Sequence, residues 1–386
     1  MSKPQPLPRP RGIVECFEGL PDPRVDRTRA HNLTDILAIG LCSMLTRGEG
    51  FTDMEFLGRA QMDWFKTFLE LPNGIPSHDT FNRVFSAITP ERFLDSFVQW
   101  VQGVCGALKG DVVAIDGKAL RRAASAGEAL PHIVSAWASE NGLALGQVKV
   151  DDKSNEMTAI PKLLDMLTIK GCIVTLDAMG CPKKAADLIA GKEADYILAL
   201  KGNQGVAHAE FKEFFDHAVP AGTTGLPTGR MAKPGTMDFF ESIEKGHGRL
   251  DVRRYWHTTD IGWFQDKKRW KALASVGMVE SIRTVGRKRS IERRYYLSSL
   301  PLDAETFGKA VRQHWGIENS LHWSMDVTFG EDQSRARTRY AAQNLATLRR
   351  LALNLLKNDK TQNLPIRRKR MLAAIDHEFL KGLLGV

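Results

Sequence analysis

Two short apolar runs, each closed by an aspartate, constrain this chain more than any other feature: Val112-Val113-Ala114-Ile115-Asp116 and Cys172-Ile173-Val174-Thr175-Leu176-Asp177. Continuous apolar runs of this length, bounded by Gly and polar residues, read as strands buried on both faces, the environment of a parallel sheet covered by helices. A carboxylate at the end of such a strand lies at the sheet edge where open α/β sheets collect their ligands. If the two strands are neighbours, Asp116 and Asp177 converge on one point. Two carboxylates held together repel, so either one is protonated or a divalent cation lies between them.

The elements around these runs give the order of a fold. Strand-like segments over 132–139 and 143–150 flank Asn141-Gly142, the strongest short-range hairpin signal. A helix is predicted over 158–167, then the Asp177 strand, a helix over 182–190 with Pro182 in its first turn, and a strand over 196–200. Strand–strand–strand–helix–strand–helix–strand is the order of a ribonuclease H-like core, in which acids at the ends of the first and fourth strands are adjacent. Asp116 and Asp177 hold those two places.

The rest of the chain is organised around this core. Residues 32–108 carry apolar residues at helical spacing, and Ser77-His78-Asp79-Thr80 after Gly74-Ile75-Pro76 is a capped helix start. Residues 1–108 therefore read as a helical N-terminal domain, a plain bundle in preference to a helix-turn-helix. Residues 109–221 hold the first part of the α/β core. Residues 222–300 are rich in Gly and Arg, with strand-like runs at 272–279 and 294–299; they read as a mostly β insertion, long enough to bury a small core of its own. Residues 301–386 return to helix and complete the core.

A two-aspartate site of this kind needs a third ligand from a helix beside the sheet. The segment from Val311 to Trp323 offers Glu318, with His314 and His322 four residues to either side on one helical face. The plainer reading is a polar helix face with Trp315 and Trp323 in the core, and Asp326, Glu331 and Asp332 are rival acids nearby. Lys201, Asn203 and Gln204 follow the fifth strand at the same edge as the acids, where they would meet phosphate oxygens or merely close a turn. Lys118, Arg121 and Arg122 follow Asp116; His247, Arg249, Arg253 and Arg254 lie in the insertion, as backbone contacts or as solvated charge.

Charge narrows the partner. The 386 residues are 43% hydrophobic with a formal net charge of +9, and the densest basic runs are Arg367-Arg368-Lys369-Arg370, Arg287-Lys288-Arg289 and Arg293-Arg294. A basic surplus spread over several segments fits nucleic acid. Nothing in the sequence resembles an aromatic stacking platform, which counts against RNA. Cys16, Cys42, Cys105, Cys172 and Cys181 form no CxxC pair, which counts against structural zinc and for a reducing compartment. The start of the chain lacks the apolar core of a signal peptide, and the apolar stretch over 36–45 is too short to span a bilayer, so a cytoplasmic protein is expected.

Several segments together resemble the DDE transposases of bacterial insertion sequences, in the subgroup that includes the H-repeat-associated proteins. They are Val113-Ala114-Ile115-Asp116-Gly117-Lys118, Lys153-Ser154-Asn155-Glu156, Val174-Thr175-Leu176-Asp177-Ala178-Met179-Gly180-Cys181, Ala199-Leu200-Lys201-Gly202-Asn203-Gln204, His247-Gly248-Arg249 and His314-Trp315-Gly316-Ile317-Glu318-Asn319. Gly74-Ile75-Pro76-Ser77-His78-Asp79-Thr80-Phe81 resembles the same subgroup. The match runs from about His31 to the C-terminal helix. The resemblance implies Asp116, Asp177 and Glu318 as the catalytic triad and metal ligands, in a ribonuclease H-like core interrupted by a β insertion before Glu318. It implies Mg²⁺, with Mn²⁺ as substitute, and two-metal phosphoryl transfer without a protein nucleophile. The expected substrate is double-stranded DNA, the element's ends and its target, with a helical domain that holds DNA ends and a homodimer on DNA. Lys118, Arg121, Lys201, Asn203, Gln204, His247, Arg249 and His314 are the expected DNA contacts.

Two departures stand out. The wider group carries a Tyr-x2-Arg-x3-Glu-x6-Lys signature around the last acid, and here those places hold Val311, His314, Glu318 and Met325. Pro182 also stands where the subgroup more usually has Gln. The alternatives are a nuclease of the same fold without strand transfer, and a DNA-binding relative that no longer cleaves.

Overall fold

The computed structural model describes residues 12–104, 108–123, 130–150, 156–177, 183–201, 205–220, 222–226, 235–246 and 248–386. Up to Val104 the described chain is helical: α1 (Ile13–Glu18), α2 (Leu33–Leu45), α3 (Phe51–Ala60), α4 (Met62–Phe65), α5 (His78–Ala87) and α6 (Pro90–Val104). Ser77 caps α5 by accepting the Thr80 N–H at 3.4 Å, and Pro90 opens α6, where a missing N–H costs nothing.

The sheet starts with β1 (Val112–Ala119), β2 (His132–Ala138) and β3 (Leu143–Lys149), continues through α7 (Glu156–Met166) to β4 (Ile173–Leu176), and through α8 (Lys183–Gly191) to β5 (Asp195–Leu200). The β2–β3 turn passes through Gly142 at φ 67°, a conformation that glycine adopts without strain. β1 lies antiparallel to β2 and parallel to β4, with Ile115 opposite Leu176. After α9 (Gly205–Ala218) come four long strands, β6 (Met237–Gly246), β7 (Arg249–Thr258), β8 (Ser275–Val285) and β9 (Lys288–Ser298).

These strands do not close on a core of their own, as their length suggested. β9 pairs antiparallel with β5, and one sheet runs β3-β2-β1-β4-β5-β9-β8-β7-β6. The physical reason is the free edge of β5: its unpaired backbone groups are satisfied by the returning chain. Tyr255, Val279 and Tyr296 accordingly pack with Val112, Ile197 and Ala199 of the central strands, and with Phe307 of α10 (Ala304–His314).

α10 is docked tightly. A Cβ on Gly277 of β8 would stand 2.3 Å from the Phe307 ring, and one on Gly308 2.9 Å from the Tyr255 ring. Asp303 caps the helix by accepting the Thr306 N–H at 2.8 Å. Beyond it the chain passes through two π-helical turns, Ile317–His322 and Ser324–Thr328, to the long helix α11 (Ala341–Asn358), and ends in α12 (Ile366–Ile375) and α13 (His377–Leu384).

α11 ties the helical region to the sheet. Asn344 donates to the Phe85 and Ile88 carbonyls at 2.7 and 2.8 Å, and Asn354 bonds both backbone groups of Ala144 at 2.8 Å. Buried amides that bond across elements in this way fix one docking geometry. One hydrophobic cluster runs from Phe17 through the sheet to Leu384. Among the described residues no helix is long and apolar enough to cross a membrane, and Cys42 and Cys172 are free thiols; Cys105 and Cys181 lie outside the described residues.

Candidate active site

Because Ile115 and Leu176 are paired, the next residues, Asp116 and Asp177, stand side by side on strands about 4.8 Å apart. β4 stops at Leu176 while β1 runs on to Ala119 paired with β2. Thr175, Asp177, Lys201, His314, Trp315 and Glu318 line one cavity of about 220 Å³ at this edge. Lys201 Nζ lies 2.9 Å from the Asp177 carboxylate.

Glu318 is exposed, and the segment that carries it is not the regular α-helix expected from the sequence. α10 ends at His314, and the i→i+5 turns that follow shift the side chains off the expected single face. The two histidines therefore part company. His314 Nδ1 is 2.9 Å from the Thr175 hydroxyl, beside Asp177, whereas His322 Nδ1 is 3.7 Å from the Asp116 carboxylate. Burial pushes His314 down to about 4; burial, with Arg350 and Lys118 nearby, pushes His322 down to about 3. Both imidazoles are thus neutral at pH 7, so His314 offers a phosphate no charge.

Trp315 and Trp323 are 39% and 56% exposed, so the plainer expectation of two core tryptophans does not hold. The two rings flank Glu318 in sequence and are both partly open to solvent. The sequence carried no sign of this, because a tryptophan next to an apolar run reads as core. Met325, at the signature's lysine position, is fully buried.

The rival acids point elsewhere. Asp326, Glu331 and Asp332 gather around Lys118 Nζ, with Asp326 closest and the others at 3.2 and 3.7 Å. Glu331 is 2% exposed and also takes Arg350 at 2.8 Å. Its burial works to raise its pKa, but Arg350 and Lys118 outweigh that and hold it at about 2. Arg121 reaches Asp332 at 3.4 Å and remains 78% exposed at its side chain.

A second cavity, of about 400 Å³, adjoins the first and shares Arg294, Tyr296, Val311 and Trp315 with it. Arg249, Arg253, Arg283 and Arg312 line it, and the Arg294 guanidinium lies 5.7 Å from the centre of the Trp315 ring. Arg254 is instead drawn into pairs with Glu241 and Glu280. Asn203, Gln204, His247 and Pro182 lie outside the described residues.

The donor set suits a hard divalent cation: carboxylate oxygens, with no thiolate. Among the described residues no three His, Cys, Asp or Glu side chains stand within reach of a single ion, and Lys201 supplies the positive charge at Asp177.

Comparison with known proteins is consistent along the chain. The family described as Transposase DDE domain matches residues 107–355, and the one described as DDE_Tnp_1-associated matches 14–101. The Escherichia coli (strain K12) protein "H repeat-associated putative transposase YhhI" is 37% identical over 381 residues, covering 97% of each chain. "Putative transposase YncI" of Escherichia coli O157:H7 is 37% identical over 381 residues, 97% of this chain and 95% of the relative. Among solved structures, a piggyBac transposase synaptic complex with hairpin DNA matches with a TM-score of 0.39 at 10% identity, covering 97% of this chain and 76% of that one.

Proposed function

The chain belongs to the DDE transposases, in the group that holds the H-repeat-associated proteins, and we propose on that premise that Asp116, Asp177 and Glu318 form the site of DNA cleavage and strand transfer. The observation that carries this reading is the sheet edge itself. Parallel pairing sets Asp116 beside Asp177, and the π-helical segment brings Glu318 into the cavity that Asp177 lines. Asp326, Glu331 and Asp332 are taken up by Lys118, which favours Glu318 as the third acid.

Asp116, Asp177 and Glu318 would hold Mg²⁺, which would supply Lewis-acid activation of the nucleophile and stabilisation of the leaving oxygen. The chain's own residues prepare the place. Lys201 orients the Asp177 carboxylate at the mouth of the cavity, within reach of a phosphate oxygen that would enter there. His314, neutral and tied to Thr175, fixes the helix end that precedes Glu318. No side chain is needed as nucleophile, because water or a DNA 3′-hydroxyl serves.

Ribonuclease H-like describes the core from β1 to β5, with residues 222–300 as an insertion that lengthens the same sheet and residues 1–108 as the helical region that receives DNA ends. Arg121, Lys201, Asn203, Gln204, His247, Arg249 and His314 remain the proposed DNA contacts, His314 as a neutral hydrogen-bonding partner, whereas Lys118, also expected among them, is taken up by Asp326, Glu331 and Asp332. A homodimer pairs two ends on DNA in the cytoplasm. The second reading, a binder that no longer cleaves, is favoured by the Lys201–Asp177 pair.

A plasmid carrying the gene's own flanking DNA separates the two. With Mg²⁺ the protein is expected to cut at the flanks and to join the cut ends to a target. EDTA and Asp177→Asn are each expected to abolish cleavage while duplex binding persists. Cleavage retained by Asp177→Asn would remove the site assignment; binding without cuts by the wild type would establish the second reading.

A further inference from the structure

We propose that the loop between the π-helical turns and α11 is a track for the phosphate backbone of duplex DNA, on the Asp116 side of the site and opposite the insertion. The loop reads Ser334-Arg335-Ala336-Arg337-Thr338-Arg339, and its three arginines are all exposed, while Ala336 between the first two packs against the hydrophobic core. The alternation is that of an extended segment, which sets Arg335 and Arg337 about 6.6 Å apart. That step is of the same order as the one between successive phosphates along a DNA strand. Among the described residues no carboxylate lies within ion-pair distance of Arg335, Arg337 or Arg339.

The loop is held rather than loose. At its start Gly330 takes the left-handed conformation and Glu331 is locked between Arg350 and Lys118. In its middle Arg337 Nε donates to the Arg122 carbonyl at 3.3 Å, which ties it to the segment leaving Asp116. At its end Arg339, a non-glycine residue held at φ 43°, stacks its guanidinium over Tyr340 at 5.4 Å, and Thr338 O accepts the Ala341 N–H at 2.9 Å. A residue kept in so rarely populated a conformation needs its surroundings to hold it there. α11 then begins without an acidic residue in its first turn, so its N-terminus adds to the positive potential. The exposed Arg122 widens the strip toward Asp116.

This assignment rests on the proposed action of the acids on DNA, since it is that chemistry which brings a phosphate backbone to this edge. Contacts to phosphates position a duplex and carry no sequence information. Each one neutralised removes about 0.9 from the slope of log K against log salt. The test is binding of a labelled duplex, without metal, between 50 and 250 mM salt. It compares wild type, the Arg335→Ala/Arg337→Ala/Arg339→Ala variant, and the corresponding triple lysine variant.

The alanine variant is expected to lose about 2.7 from the slope and roughly 10²-fold in affinity near 0.15 M salt, equally on flank and unrelated sequences. The lysine variant is expected to keep the wild-type slope. If the alanine variant melts early, the three single alanine variants carry the test, each losing about 0.9. Wild-type slope and affinity in the alanine variants, or a loss confined to one sequence, overturns the track while leaving DNA binding intact. A wild-type protein that binds no duplex overturns the parent reading and the track with it.

Discussion

Arg249, Arg253, Arg254, Arg283 and Arg293 of the insertion and the arginines of the loop before α11 are alike in sequence and unlike in surroundings. Asp251, 4% exposed, takes Arg283 at 2.8 Å, Arg249 at 3.2 Å and Arg253 at 3.7 Å. Glu280, 3% exposed, takes Arg293 at 2.9 Å and Arg254 at 3.4 Å. Arg335, Arg337 and Arg339 face solvent with no such partner among the described residues. A polyanion gains counterion release from charge that the protein leaves unneutralised, so the loop and the insertion should answer differently to the same DNA. Basic content alone is therefore a poor map of a binding surface; the placement of the carboxylates decides.

The largest effect is expected where pairing is deepest. Glu331→Ala leaves Arg350 buried without its partner and releases Lys118, at a cost of about 3–5 kcal/mol, read as a fall in the urea midpoint. The pH dependence follows from the sign of the shift. Glu331 is held at about 2, below its ordinary value near 4.5, so its contribution is complete above pH 4.5 and fades as pH falls toward 2. Wild type and variant should converge in stability over that window. An unchanged midpoint at pH 7 would break the view that this charge serves the fold.

Asp251→Asn sharpens the comparison from the other side. The bond from Arg283 comes first among the causes that hold its carboxyl below the ordinary carboxylate range; burial opposes this, and Arg253 and Arg249 add to it. The stabilisation is therefore present above that range and lost on acidification, and the variant should be weaker by about 1–2 kcal/mol at pH 7 and less so in acid. The same change frees three guanidiniums. The salt slope of duplex binding should steepen by 1–3 units, on the scale of about 0.9 per contact. A slope that does not move would show that these side chains cannot turn outward.

How far such distinctions could be read in the sequence depends on range. The strands ending at Asp116 and Asp177 were legible because a continuous apolar run needs no partner to be recognised, and Asn141-Gly142 announces its hairpin locally. Pairing across the fold was not legible. In the densest basic run, Lys369 and Arg370 are 5% and 3% exposed: Lys369 donates to the Leu356 and Asp359 carbonyls, and Arg370 to those of Met44, Thr328 and Gly48. Half of that run thus holds helices together, while the sparser Arg-Ala-Arg-Thr-Arg alternation is the exposed one. The joining of β9 to β5 was hidden for the same reason, since 99 residues separate Leu198 from its partner Leu297 and nothing local specifies the match. The π-helical turn at Glu318 also escaped, because a 3.6-residue period was assumed where the backbone takes a wider one.

The smallest effect is the most discriminating. Arg283 lines the cavity beside the acids and is 51% exposed at its side chain, so a count of basic groups would give it the same weight as Arg337. If pairing decides, Arg283→Ala should change the salt slope by under about 0.5, against about 0.9 for Arg337→Ala. Asp251 keeps Arg249 and Arg253 as partners, so the loss in stability should stay within about 1 kcal/mol, as for an exposed pair. Equal slopes for the two variants would mean that DNA draws Arg283 away from Asp251. The cavity of the insertion would then be a second phosphate track, and the scissile strand would be gripped on both sides of Asp116 and Asp177 rather than on one.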